Sequence, residues 1–166
     1  MIKKSFWKGF ITGGTIFIMV AVVIYNKFVA SPDISLNQLE VKDLKGNSVD
    51  LTSYEGKPLI VNYWATWCAP CLKEFPHFEE AKKRFSNEVN FIMISDESME
   101  KITSFSNSKP YSFNFLKSSK KLSEYGINEI TALPTTYFYN AQGNLIAKHA
   151  SALTIETLIE LIESIN

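Results

Sequence analysis

From Leu39 onward the apolar positions of this chain change period several times, and each change marks an element. Leu39, Val41 and Leu44 interleave with Glu40, Lys42 and Asp43, then Lys45-Gly46-Asn47 turns the chain into Ser48-Val49-Asp50-Leu51, which predicts a β-hairpin. Leu59-Ile60-Val61-Asn62-Tyr63-Trp64 is an almost unbroken apolar run, as expected of a central strand covered on both faces. The pattern then predicts a helix from about Cys68 to Phe85, a strand over Asn90–Ser95, a helix near Glu97–Ser106, a short strand around Phe113–Leu116 and a short helix near Ser119–Tyr125. The strand-helix-strand order, with a crossover of this length, implies parallel pairing. Pro134–Tyr139 and Leu145–Lys148 flank the turn residues 140–144 as a second hairpin, and Ile155–Ile165 closes the chain as an amphipathic helix. Ser104–Ser112 has no clear period and reads as a surface connection.

Upstream, the 17 uncharged residues from Gly9 to Tyr25 would span roughly 25 Å as a helix, the short end of what a bilayer requires. Lys3, Lys4 and Lys8 precede them and only Lys27 follows closely, so the charge bias puts the N-terminus in the cytoplasm and the rest outside. The segment after Tyr25 lacks a good cleavage pattern, which favours a retained anchor over a removed signal peptide. The expected organisation is an anchor and tether over residues 1–31, with packing starting near Leu39, and one extracytoplasmic domain over residues 32–166. The whole chain carries 17 basic and 17 acidic side chains, but four lysines lie in residues 1–31, so the remainder is mildly acidic. No basic stripe interleaved with aromatics is present, which argues against nucleic acid as a partner.

The chain has two cysteines, Cys68 and Cys71, set as W-C-A-P-C where the apolar strand gives way to the helix. A cysteine at a helix start faces unpaired backbone N–H groups and the positive end of the helix dipole, so Cys68 is the expected nucleophile. Cys71 lies one turn on, able to close a small disulfide ring and resolve a mixed disulfide, and should be the more buried of the two. A zinc site would need further ligands, and His77 and His149 are not grouped for it; a structural staple gains little from so short a loop. No metal site or cofactor is expected.

At 100° per residue Cys71, Phe75, Phe78, Ala81 and Phe85 fall in one arc, and Glu74 lies inside it, with Lys82 an imperfection. A carboxyl there would be desolvated, its pKa raised toward neutrality, and able to pass a proton to or from Cys71. Pro70 suits the first turn, Pro76 should kink the helix, and Trp67 is a candidate platform beside the disulfide.

These residues carry a family resemblance. V-N-Y-W-A-T-W-C-A-P-C-L-K-E-F-P, together with Gly56-Lys57-Pro58 and Ala132-Leu133-Pro134-Thr135-Thr136, closely resembles the TlpA/ResA branch of the thioredoxin superfamily, over Leu39 to about Ile165. The resemblance implies an α/β thioredoxin-like fold, a central mixed sheet flanked by helices, with an added N-terminal hairpin and a transmembrane helix. It implies a redox centre at Cys68 and Cys71, a cis Pro134 facing it, and the backbone of Leu133 pairing with an extended substrate segment. Ordinary thioredoxins carry a buried aspartate where this chain has Asn62, and Glu74 matches the glutamate of the tethered branch. The branch implies a protein-disulfide reductase outside the cytoplasm, serving apocytochrome c or copper-site cysteines and recharged by a membrane thiol-electron donor. A disulfide oxidase or isomerase, a copper-binding metallochaperone and a thiol peroxidase are the alternatives; a peroxidase would want a threonine three residues before the reactive cysteine, where Thr66 is two before, and an arginine nearby.

Overall fold

A sheet of alternating inward and outward side chains organises the computed structural model, which describes residues 34–85, 87–125 and 133–165. Residues 1–33, and with them the expected anchor at Gly9–Tyr25, lie outside the described residues; among those described, no helix is long and apolar enough to cross a membrane. The strands are β1 (Val41–Lys42), β2 (Ser48–Val49), β3 (Leu59–Tyr63), β4 (Asn90–Ser95), β5 (Asn114–Ser118), β6 (Thr135–Tyr139) and β7 (Leu145–His149). They lie in the order β2-β1-β5-β4-β3-β6-β7. β3, β4 and β5 run parallel, as the crossovers demand, and antiparallel pairs extend the sheet on both sides, so the sheet is mixed. β1 and β2 pair antiparallel across a turn in which Gly46 takes a φ of 89°, a backbone position that favours glycine.

Among the described residues, α1 (Ala69–Phe85) and α2 (Met99–Ser108) connect strands and α3 (Ile155–Ser164) follows the last one. The two-residue period of the strands divides the interior cleanly. Ile60, Trp64, Phe91, Met93, Phe115 and Phe138 face the helices, while Leu59, Val61, Tyr63, Ile92, Ile94 and Tyr137 face a second core on the other side. That second core is closed by the chain from Ile34 to Leu51 and by Leu122. Ile34 and Leu36 are buried, and Tyr139 Oη donates to the Ile34 carbonyl at 2.7 Å. Among the described residues packing is thus already present at Ile34, ahead of the Leu39 expected from the pattern: two apolar side chains and a carbonyl find partners on the sheet.

α2 runs to Ser108 instead of dissolving near Ser104. Phe105 holds it there, its ring 4.7 Å from that of Trp64 and within 6.0 Å of Phe75 and Phe115 in an aromatic cluster. Edge-on ring pairs of this kind add about 0.5–1.5 kcal/mol beyond their burial. The same helix starts two residues late because the Ser98 hydroxyl caps it, accepting from the Lys101 N–H, which leaves Asp96 and Glu97 outside the helix with their side chains free to turn elsewhere. The short helix expected near Ser119 is a single 3-10 turn, Leu122–Tyr125. α1 continues through Pro76, which is exposed on its outer side.

Candidate active site

β3 delivers the chain to the redox loop at its C-terminal end. Trp64 N–H donates to the Ile94 carbonyl, extending the strand by one bond, and Cys68 N–H donates to the Ala65 carbonyl, closing the loop that starts α1. The Cys68 carbonyl accepts from Leu72, so Cys68 stands at the cap of the helix, with its sulfur against the first turn. Cys68 and Cys71 form a disulfide, their Cα atoms 5.3 Å apart. The Cys71 backbone N–H also points at Cys68 Sγ at 3.3 Å, a helix-terminal donor aimed at the sulfur expected to become a thiolate. Cys71 is fully buried and Cys68 retains 3% exposure, flanked by exposed Trp67, Ala69 and Pro70; the order of burial is the expected one.

Glu74 lies one turn below Cys71, fully inside the protein and, among the described residues, with no cation beside it. Its Oε1 accepts from Asn62 Nδ2 at 2.8 Å and its Oε2 from the Leu153 N–H at 2.8 Å. Burial pushes its pKa up to about 7, against the opposing pull of the Leu153 and Asn62 bonds. The carboxyl is thus poised to gain or lose a proton near neutrality. Asn62 also donates to Thr136 Oγ1 at 3.0 Å, tying β3, β6 and α1 together beneath the disulfide. Among the described residues, Asn62 Oδ1, Tyr63 Oη and Trp64 Nε1, on three successive residues, are buried polar atoms without a hydrogen-bond partner.

The Leu133-Pro134 bond is cis. Thr135, next in sequence, pairs with Tyr63 across β3 and β6, so Pro134 stands at the same end of the sheet as the redox loop. Leu133 is half-buried against both cores, and Trp67 is 56% exposed at the rim.

Two residues escaped the sequence reading. Just past the end of β4 the consecutive carboxylates Asp96 and Glu97 bind different segments of the chain. Glu97 Oε2 accepts the Thr66 N–H at 2.6 Å and Oε1 the Thr66 hydroxyl at 2.8 Å. Asp96 Oδ2 accepts the Leu122 N–H at 3.0 Å, with Lys121 Nζ 3.6 Å away. An acidic pair before a predicted helix looks like ordinary N-terminal charge, and nothing in the sequence separates that from a clamp. The only arginine, Arg84, is sixteen residues along α1 from Cys68, about 24 Å by helical rise, and pairs with Glu163. Among the described residues no three His, Cys, Asp or Glu side chains gather as a metal site.

Comparison with known proteins agrees with this architecture. A profile described as the AhpC/TSA family matches residues 30–148. The thiol-disulfide oxidoreductase ResA of Halalkalibacterium halodurans is 27% identical over 172 residues, 98% of this chain and 96% of that protein. The thioredoxin-like protein YneN of Bacillus subtilis is 30% identical over 131 residues, covering 75% of this chain and 71% of its own. Among solved structures, StoA from Bacillus subtilis superposes with a TM-score of 0.62 at 23% identity, over 78% of this chain and 98% of that one.

Proposed function

The chain belongs to the AhpC/TSA family, on its TlpA/ResA-like thioredoxin branch, and from that premise we propose that this thiol-disulfide oxidoreductase works as a membrane-anchored reductase of protein disulfides outside the cytoplasm. The observation that carries the exchange chemistry is the Cys71 N–H directed at Cys68 Sγ at the cap of α1. In the reduced protein that donor stabilises a Cys68 thiolate, which attacks one sulfur of a substrate disulfide and releases the other as a thiol. The Cys71 thiolate then attacks Cys68 in the mixed disulfide, freeing the second substrate thiol and leaving Cys68–Cys71 oxidised. Two electrons pass to the substrate, and its two sulfurs each gain a proton. Glu74, able to exchange a proton near pH 7, takes the Cys71 proton as that thiol ionises. Trp67 and the Leu133-Pro134 segment receive the polypeptide around the attacked sulfur, the Leu133 backbone pairing with an extended strand.

The substrates that fit are proteins whose cysteines must be reduced before they bind haem or copper, such as an apocytochrome c or a copper-site protein. Reducing equivalents come from a thiol carrier in the membrane, to which residues 9–25 anchor the chain. Between the cysteines, Ala69 and Pro70 supply no positive charge to over-stabilise the thiolate, which suits a reductant. Equilibration of the protein with thiol buffers tests the direction. A potential near or below about −270 mV is expected, and one near about −120 mV would make it an oxidant or isomerase. Glu74→Gln should flatten the pH dependence of exchange around neutrality; an unchanged profile removes Glu74 from the proton path. Stoichiometric copper retention without disulfide reduction would favour a metallochaperone.

A further inference from the structure

We propose that Glu97 is a positioning residue of the redox loop: its carboxylate holds Thr66 by backbone and side chain together, and its negative charge opposes ionisation of Cys68, keeping the pair reducing. The proposal rests on the exchange reading of Cys68. Three observations carry it.

The first is geometric. Thr66 gives both its N–H and its hydroxyl to one carboxylate, at 2.6 and 2.8 Å, so the loop is tied at two points to the residue just past β4. The Glu97 N–H in turn donates to Ser95 Oγ at 3.3 Å, fixing the clamp to the last residue of that strand. The second is burial: the Glu97 side chain is 8% exposed, so its charge is poorly screened by water. Lys101 offsets it only partly, its Nζ 3.5 Å from Oε1 and its side chain 64% exposed. The third is proximity. Thr66, to which the carboxylate is bonded, is two residues from Cys68, at most about 7.6 Å between Cα atoms, and at about 0.01 M salt the screening length of about 30 Å lets the carboxylate act on the sulfur.

The helix N-terminus and the Cys71 N–H pull the Cys68 thiol toward ionisation, and Glu97 pushes against them. Among the described residues, the charged groups placed near the loop are Glu97, just before α2, Glu100 and Lys101 in its first turn, and Glu74 on α1. Of these Glu97 alone is bonded to the loop itself. A thiolate held less tightly is a better electron donor and makes the disulfide harder to reduce, which is what a reductant needs.

The test is the rate of alkylation of Cys68 by iodoacetamide in the reduced full-length protein, followed against pH at low ionic strength. Glu97→Gln preserves shape and removes the charge; it should displace the profile to lower pH and raise the rate at pH 7 about fivefold. Thr66→Val keeps the charge and the backbone bond, and its profile should stay where the wild-type profile lies. A Glu97→Gln profile superimposed on wild type, or a Thr66→Val profile displaced as far as it, overturns the proposal, because the charge of the carboxylate would then have no effect of its own on Cys68. Should Glu97→Gln fail to fold, Lys101→Met, on an exposed side chain that meets the loop through Glu97, replaces it. Removing that cation should slow alkylation at pH 7 about twofold, and an unchanged rate overturns the proposal. Failure of the exchange reading shows separately, as a wild-type dithiol that leaves protein disulfides intact while its thiols still alkylate.

Discussion

Behind the disulfide, Glu74 is sealed into the helix-facing core with two hydrogen-bond donors and no cation; in front of it, Glu97 holds the loop with two donors and a lysine at its back. The two carboxylates make similar bonds and differ in what surrounds them. Where water and counter-charge are both withheld, a proton becomes the cheapest partner, and the group turns into an acid that works near pH 7. Where a cation and a loop amide are supplied, the same chemistry serves to hold a backbone in place. The lesson is that a buried glutamate cannot be assigned a role from its burial alone; the neighbours decide between proton traffic and architecture.

The sharpest way to break that contrast is Glu74→Gln in the oxidised protein. Glu74 holds its proton more tightly when folded than when unfolded, so its contribution to stability is fully present below about pH 4.5 and is lost as the pH climbs through about 7. Urea denaturation should show wild type losing on the order of 3 kcal/mol between pH 4.5 and 8 relative to Glu74→Gln. Parallel curves would mean that Glu74 does not change its protonation near neutrality. Asn62→Leu is the next largest effect. It takes one donor from the Glu74 carboxylate while also removing the unpartnered Oδ1, and should carry the Glu74 titration upward by about one unit, roughly 1.4 kcal/mol, in a carboxyl NMR titration. No movement would show that the Asn62 bond does not favour the ionised form. The smallest effect belongs to Thr66→Val, which should cost about 1 kcal/mol of unfolding free energy equally at pH 5 and pH 8. A pH-dependent cost would bring the front carboxylate into the proton chemistry.

Much of this layout is legible in the chain. The unbroken apolar run Leu59–Trp64 is a strand covered on both faces by the two cores, and the helical arc that holds Cys71 and Glu74 is the buried face of α1. What the sequence hides is any group whose role depends on a distant partner. Asn62 reads as a missing aspartate, whereas in the fold its amide is the donor that meets Glu74, twelve residues away. Glu97 reads as the start of a helix because local charge preference explains it fully; its bond to Thr66 spans thirty-one residues and leaves no periodic trace. Phe105 and Ile34 were obscure for the same reason, since each is an apolar residue in a polar stretch whose neighbours arrive from other strands.

Both sulfurs sit on the first turn of one rigid helix, with Cα atoms 5.3 Å apart, and this has a bearing on how the protein would be seen with its partners. On the proposed mechanism a covalent complex between Cys68 and a substrate is short-lived, because Cys71 is tethered beside it at a very high effective concentration. Encounters with substrates will therefore be brief and leave no adduct to isolate. Replacing Cys71 with serine turns the fleeting adduct into a long-lived handle on whatever protein had been bound.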